Sequence, residues 1–193
     1  MNLDYLYQTG RLILRPYKSA DLFPHLEAVT ESLPELSQWL EWCGEGYNQH
    51  DANAWLTTSR VNWRSDICYE LAIFDRFDNT FIGSVSLYDL QATSNSANVG
   101  YWIRSRYHRQ GIASEAIKVI CRLAFLSLEL TRLDIVVHPN NIASQRTAMS
   151  CGARYEGLLR NKIMMRGIPM DGQLYSIIPS DTELIQEKLT FNS

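Results

Sequence analysis

The sequence predicts a mixed α/β fold, with about seven strands in one sheet and helices on both faces. Three observations predict it. Short apolar runs, rich in β-branched and aromatic residues, recur between turn signals along the chain. Two stretches, starting at Asp51 and Gly111, instead place apolar residues at helical spacing. Finally, 193 residues with 46% hydrophobic and 20% charged side chains describe one domain, 1–193, with a sizeable core.

The elements follow in order. Leu12 to Arg15 reads as a first strand. Asp21 caps a helix through Val29, and a second short helix runs from Pro34 to about Trp42. Asp51 begins a further helix with Ala52, Trp55, Leu56, Ser59 and Trp63 on one face. Tyr69 to Phe74, Phe81 to Tyr88 and Ala97 to Ile103 read as three strands, the first two joined by the turn residues Asp78-Asn79. Gly111 to Leu128 is the longest helix, and Leu133 to His138 the next strand, closed by Pro139. The helix from Ile142 to Cys151 ends at Gly152, a suitable left-handed cap. Tyr155 to Met165 and Leu174 to Ile178 complete the strands, joined through Arg166-Gly167-Ile168-Pro169, and Thr182 to Leu189 adds a terminal helix.

Composition narrows the function classes. No apolar run reaches membrane-spanning length, and Met1-Asn2-Leu3-Asp4-Tyr5 lacks the basic flank and apolar stretch of a signal peptide, so a cytoplasmic protein is expected. The four cysteines form no C-x-x-C pair and no Cys/His cluster, so neither a disulfide framework nor a metal site is expected. Net charge is −3 but unevenly spread. Ser19 to Ser59 holds no Lys or Arg beside Asp21, Glu27, Glu31, Glu35, Glu41, Glu45 and Asp51, whereas Gly100 to Arg166 carries eleven basic residues against four acidic ones. Solvated helix faces explain such a pattern as well as an acidic substrate side and a basic cofactor side do.

The most informative block follows the strand ending Gly100-Tyr101-Trp102-Ile103. There His108-Arg109-Gln110-Gly111-Ile112-Ala113-Ser114 turns into a helix. Free N–H groups at a helix start carry partial positive charge and face outward, which makes an anion cradle. Gly111 permits close backbone approach, Ala113 keeps the first turn slim, and Arg104, Arg106 and Arg109 supply charge suited to phosphate oxygens. The chain has neither the G-x-x-x-x-G-K-[ST] loop nor a three-glycine dinucleotide fingerprint. One glycine at a turn is also consistent with an ordinary helix cap. A second block downstream, Val136 to Ser144 and then Ala148 to Ala153, adds weight to a site.

These two blocks resemble motifs A and B of the GNAT acetyltransferases, whose loop pattern [Q/R]-x-x-G-x-[G/A] reads here His108-Arg109-Gln110-Gly111-Ile112-Ala113. Arg11 to Pro16, Gly100 to Ile103, Asn141 to Ser144, Glu156 to Asn161 and Asp171 to Ser176 are similar to the RimJ/RimL branch, the N-terminal acetyltransferases of ribosomal proteins. The resemblance covers most of residues 10 to 180, with His108 departing from the preferred Gln or Arg. It implies a mixed, mostly antiparallel sheet whose central strand, Asn98 to Arg104, is splayed from its neighbour to admit the pantetheine arm of acetyl-CoA.

The resemblance also implies roles. The backbone of Ile103 should hold the acetyl carbonyl, while Arg104 and the amides of Arg109, Gln110, Gly111, Ile112, Ala113 and Ser114 take the cofactor, with His108 pointing at phosphate. From the residues alone Asn141 is a helix N-cap and Ser144 a first-turn residue. The resemblance adds contacts from Asn141 to the pantetheine amides and from Ser144 to the thioester sulfur, where it stabilises the departing thiolate. A general base is less obvious, because Leu158 to Met165 holds no carboxylate. Glu70 is the candidate, against an ordinary exposed strand position; Asp171 reads as a structural hydrogen-bond partner.

The expected reaction is acetyl transfer from acetyl-CoA, without a metal, to a primary amine, first of all the α-amine of a protein or peptide N-terminus. An α-amine near pKa 8 is roughly one-tenth neutral at pH 7, and so needs less of a base than a lysine does. Trp39, Trp42 and Tyr101 are the expected substrate contacts, with Trp55 and Trp63 in the core. Acetylation of a small cationic amine, such as a polyamine or aminoglycoside, is the alternative enzyme, and a non-catalytic acyl-CoA-binding module the alternative of another class. Neither nucleic acid nor membrane is an expected partner, and the expected assembly is a monomer or homodimer.

Overall fold

The computed structural model describes residues 3–182. Its frame is one eight-stranded sheet, in the order β1-β2-β3-β4-β5-β6-β8-β7. The strands are β1 (Tyr7–Gln8), β2 (Leu12–Pro16), β3 (Tyr69–Asp75), β4 (Phe81–Gln91), β5 (Ser96–Ile103), β6 (Arg132–Val137), β7 (Arg154–Met165) and β8 (Ile168–Ile177). Every neighbouring pair is antiparallel except β5 with β6. The helices are α1 (Leu22–Leu36), α2 (Gln49–Arg64), α3 (Ile112–Arg122) and α4 (Ile142–Ser150).

Strand alternation divides the core in two. Leu12, Leu14, Leu71, Ile73 and Val85 face the side covered by α3, where Ile117 and Ile120 are fully buried. Ala72, Phe74, Phe81 and Trp102 face α1, against Ala28 and Val29. On β4 the alternation is reset by one residue. Ile73 lies opposite Gly83 and Phe74 opposite Phe81, so Ile82 is the extra residue of a bulge. Gly83 is required there, since a Cβ would lie 2.2 Å from the Trp102 carbonyl oxygen. The reset turns Ser84 and Ser86 toward the α1 side.

Several expectations change. β1 is an additional strand, too short for a pattern of its own. The two helices expected on either side of Pro34 are the single helix α1, which runs through Pro34 to Leu36. Pro34 lies in the last turn, where losing one backbone donor leaves the helix intact. Helix α2 starts two residues before Asp51: Asn48 is the N-cap, accepting from His50 N–H at 2.8 Å, and Asp51 accepts from Asn48 N–H at 3.0 Å. Helix α3 ends at Arg122 and continues as one wide turn over Leu123–Ser127. Strand β8 begins at Ile168 instead of Leu174, because the hairpin pairs down to a tight turn at Arg166-Gly167. The expected helix from Thr182 to Leu189 lies outside the described residues.

Candidate active site

The loop between β5 and α3 is built as an open helix start. Arg109 and Gly111 both take left-handed backbone, at φ +59° and +73°. The first helical bond runs from Glu115 N–H to the Gly111 carbonyl at 3.1 Å. The amides of Ile112, Ala113 and Ser114 therefore precede any helical acceptor and face outward. A strut the sequence did not announce holds this turn: Arg11 donates through Nε to Glu115 Oε2 at 2.7 Å and through Nη2 to the Gln110 carbonyl at 2.8 Å, and the Thr9 hydroxyl also bonds Glu115.

Beside the loop the sheet opens. β5 and β6 pair only at Ser96–Arg132, Ala97–Leu133 and Asn98–Asp134. Beyond Asn98, which still pairs with Asp134, β5 keeps β4 alone, so the strand expected to splay parts from β6 over Val99 to Ile103. Arg104 N–H donates to the Ile82 carbonyl at 2.7 Å, which makes the facing Gly83–Ile103 pair a non-hydrogen-bonded one. Ile103 N–H and C=O accordingly turn away from β4, toward the opening.

Two loop expectations need correction. His108 does not point at phosphate: its Nε2 lies 2.8 Å from the Ile103 carbonyl, so it donates there and ties the loop back to β5. Arg104 is also withdrawn from the cofactor side. Only 2% exposed, it donates through Nε to Glu31 at 2.7 Å and through Nη2 to Glu27 at 2.6 Å. Glu27 and Glu31 lie one turn apart on α1 and face β5 together. Ser105 extends the contact, with its N–H on Ser32 Oγ at 3.0 Å and its hydroxyl on Glu35 at 2.8 Å. The acidic face of α1 is therefore a docking face for residues 104–105. Asp21 pairs with Arg15 and Asp51 caps α2, so these two acids of the segment also serve the fold.

Across the opening, Asn141 is the N-cap of α4, accepting from Ser144 N–H at 3.1 Å. Ser144 Oγ lies 2.8 Å from the Tyr101 phenol, which also reaches the Ser144 carbonyl at 3.1 Å. Tyr101, expected as a substrate contact, lies on the α3 side of the sheet with its hydroxyl engaged by Ser144. Burial holds its phenol well above the usual range, so it is a hydrogen-bonding group and not a proton source.

The other face carries Glu70. It is 6% exposed, not the open strand position that was weighed against it. Glu70, Ser86 and Gly100 form one row across β3, β4 and β5. The carboxylate accepts from the Ser84 hydroxyl, and burial pushes it up to about 7, against the lowering effect of Ser84 and Ser86. Trp42 is half-buried, and so is Trp55, which was expected in the core. Trp42 stacks on Trp55 at 5.5 Å and meets Trp102 at 6.3 Å, at the margin of the aromatic cluster on the α1 side. Trp39 is half-buried and meets the His138 ring at 5.5 Å, bridging that connection to the end of β6. Asp171 has the structural part expected, accepting from Asn161 N–H at 3.0 Å.

Helix-start amides, a slot between parallel strands, a hydroxyl at the slot wall and a carboxyl on the opposite face define a coenzyme-dependent acyl-transfer site. Residues 11–154 match the acetyltransferase (GNAT) domain, and the chain belongs to that family. It is 35% identical to a protein of Vibrio cholerae assigned as a ribosomal-protein-serine acetyltransferase, with a TM-score of 0.84 over 93% of this chain and 100% of that one. It is 26% identical to YjcK of Bacillus subtilis, assigned as an N-acetyltransferase, over 89% of this chain and 96% of that protein. The ribosomal-protein-serine acetyltransferase of Escherichia coli is 28% identical over 52% of this chain and 56% of its own length. The protein is an acetyl-CoA-dependent N-acetyltransferase of the RimJ/RimL-like branch. Among the described residues, no group of three or more His, Cys, Asp or Glu side chains is placed to hold a metal, and no helix is long and apolar enough to cross a membrane.

Proposed function

We propose that the acceptor is the α-amine of a protein or peptide N-terminus. The observation that carries this is the buried Glu70 carboxyl, held at about 7 on the face opposite the cofactor loop. An α-ammonium near pKa 8 gives up its proton to such a group at a cost of about 1 kcal/mol, whereas a lysine or polyamine near 10.4 requires about 5 kcal/mol. The same argument disfavours a polyamine, whereas an aminoglycoside is separated only by the acceptor panel below. The Ser144 hydroxyl, held at the slot wall by Tyr101, favours a catalyst over a module that only binds acyl-CoA.

In this reading acetyl-CoA supplies the acyl group when bound. The amides of residues 109–114 and Asn141 bind it, the phosphates at the helix start and the pantetheine in the slot. Ile103 N–H, turned toward the opening, donates to the charge that develops on the acetyl oxygen. Ser144 donates to the departing sulfur, and Tyr101 fixes the direction of that hydroxyl. Glu70 sits two strand spacings from β5, roughly 10 Å. It therefore takes the amine proton through Ser86 or a water rather than by direct contact.

The test is kcat/KM over a panel of peptides with free α-amines, the same peptides Nα-blocked with internal lysines, spermidine and an aminoglycoside. Free α-amine peptides are expected to be fastest, with the preference lost in Glu70→Gln. Equal rates on blocked peptides, or a preference for the small amines, would overturn the reading.

A further inference from the structure

Arg11 stands just before β2, yet its side chain bonds across 99 and 104 positions to the cofactor loop and α3. The guanidinium lies at the cradle itself. Its Nη2 is 3.6 Å from the point where a Cβ on Gly111 would stand. Two groups at that turn oppose a bound anion: the Glu115 carboxylate in the first turn of α3, and the Gln110 carbonyl. Arg11 covers both, through Nε to Glu115 Oε2 at 2.7 Å and through Nη2 to the carbonyl at 2.8 Å. A guanidinium has five N–H donors in one planar fork. Among the described residues Nη1 takes no hydrogen bond, and the side chain is 42% exposed, which leaves that edge accessible.

We propose that Arg11 is a further coenzyme contact, its Nη1 edge donating to the phosphate oxygens of acetyl-CoA seated on the amides of residues 112–114. The inference rests on the cofactor alone and holds whichever amine is acetylated.

The charge at the site calls for such a residue. Helix-start amides together carry about half an elementary charge, well short of what the phosphates of acetyl-CoA bring. Most cations that the sequence offers nearby are committed elsewhere. Arg104 is held by Glu27 and Glu31, Arg106 lies 3.5 Å from Glu31, and His108 donates to the Ile103 carbonyl. Arg109 remains on the loop. Arg11 adds a cation from outside it, in the form that suits phosphate best, two donors side by side. By pairing Glu115 it also lets the positive end of α3 act on the anion undiminished.

The side chain is fixed before the ligand arrives. Glu115 accepts from the Thr9 hydroxyl as well as from Arg11. Arg76 anchors the segment from the other side, its N–H on the Arg11 carbonyl at 2.9 Å and its Nη1 on the Thr9 carbonyl at 3.0 Å. A long side chain already held by two bonds loses little further freedom on binding.

The test is calorimetric titration of acetyl-CoA into wild type, Arg11→Gln, Arg11→Lys and Glu115→Gln, at low and high salt, with Tm recorded for each. Arg11→Gln is expected to weaken binding about tenfold and to flatten its salt dependence, because a charge facing the phosphates is lost. Arg11→Lys keeps the charge but not the fork, and is expected to lose about fivefold. Glu115→Gln keeps an acceptor for Arg11 and removes the negative charge, so affinity should hold or rise by up to about threefold. Affinity within about twofold of wild type in Arg11→Gln overturns the contact. So do equal losses in Arg11→Gln and Glu115→Gln with the salt dependence unchanged, which mark a strut that only shapes the loop. If Arg11→Gln shows no folding transition, Arg11→Lys decides, and full affinity in it overturns the contact.

Discussion

The Tyr101 phenol and the Ser144 hydroxyl lie 2.8 Å apart across the opening between β5 and β6, joining the central strand to the first turn of α4. The pair turns an ordinary helix-start serine into an oriented donor at the slot wall. Without the tyrosine, Ser144 would rotate freely among solvent and backbone acceptors.

Ser144→Ala is expected to lower kcat and kcat/KM together, by about a hundredfold, with acetyl-CoA affinity unchanged. Tyr101→Phe is expected to cost about tenfold, the value of one hydrogen bond that orients another group. In the double variant the losses should not add, because both changes disable one donor. Additive effects would separate the two residues.

Gly111→Val is expected to weaken acetyl-CoA binding at least tenfold. At φ +73° a β-branched residue is strained by about 1–2 kcal/mol, and its side chain sits among the outward-facing amides. The nearest protein atom to a Cβ there is Arg11 Nη2 at an ordinary 3.6 Å, so the fold itself tolerates the change. Calorimetric titration of the folded variant measures this directly.

Arg104→Ala tests the correction made to the cofactor side. Removing a guanidinium that is itself buried, but whose partners Glu27 and Glu31 reach solvent, is expected to destabilise the protein by about 1 kcal/mol and so lower Tm by a few degrees. Affinity for acetyl-CoA should move less than about threefold. A large loss of affinity with an unchanged Tm would return Arg104 to the phosphates.

The pH dependence of stability identifies Glu70. Its folded pKa, about 7, is above its unfolded value of 4.5, so the folded state binds the proton more tightly. Stability from this group is complete below 4.5 and is lost as pH rises to about 7, amounting to about 3 kcal/mol. The Tm advantage of Glu70→Gln over wild type should therefore grow from pH 4.5 to 7 and then level off. His25 acts in the opposite sense. Its pKa falls from 6.5 to about 4 on folding, so its stability is lost as pH drops through that window. In activity, the limb of kcat/KM rising through about pH 7 should disappear in Glu70→Gln.

The sequence by itself determined what short-range physics determines. The cradle at Gly111 is a property of one turn and the residue that permits it. The Asn141 cap is made with a residue three positions away. The strands from Tyr69 to Ile103 follow from short runs of apolar, β-branched and aromatic residues between turn signals, and the membership of the family follows from motifs read in order. Where a local rule misled, a packed neighbour had overridden it, as when α1 ran through Pro34 while Ser32 and Glu35 held Ser105.

Only the tertiary structure decided which side chains meet. Arg104 finds Glu31 and Glu27 across 73 and 77 positions, Tyr101 finds Ser144 across 43, and Arg11 finds Glu115 across 104. Sequence alternation shows that a strand has two faces. It does not say which helix covers each face, nor that a single bulge at Ile82 turns Ser84 toward Glu70. Those partnerships depend on strand order and on how far β6 parts from β5. No short-range energy encodes either, because both are set by how the whole chain buries its apolar surface.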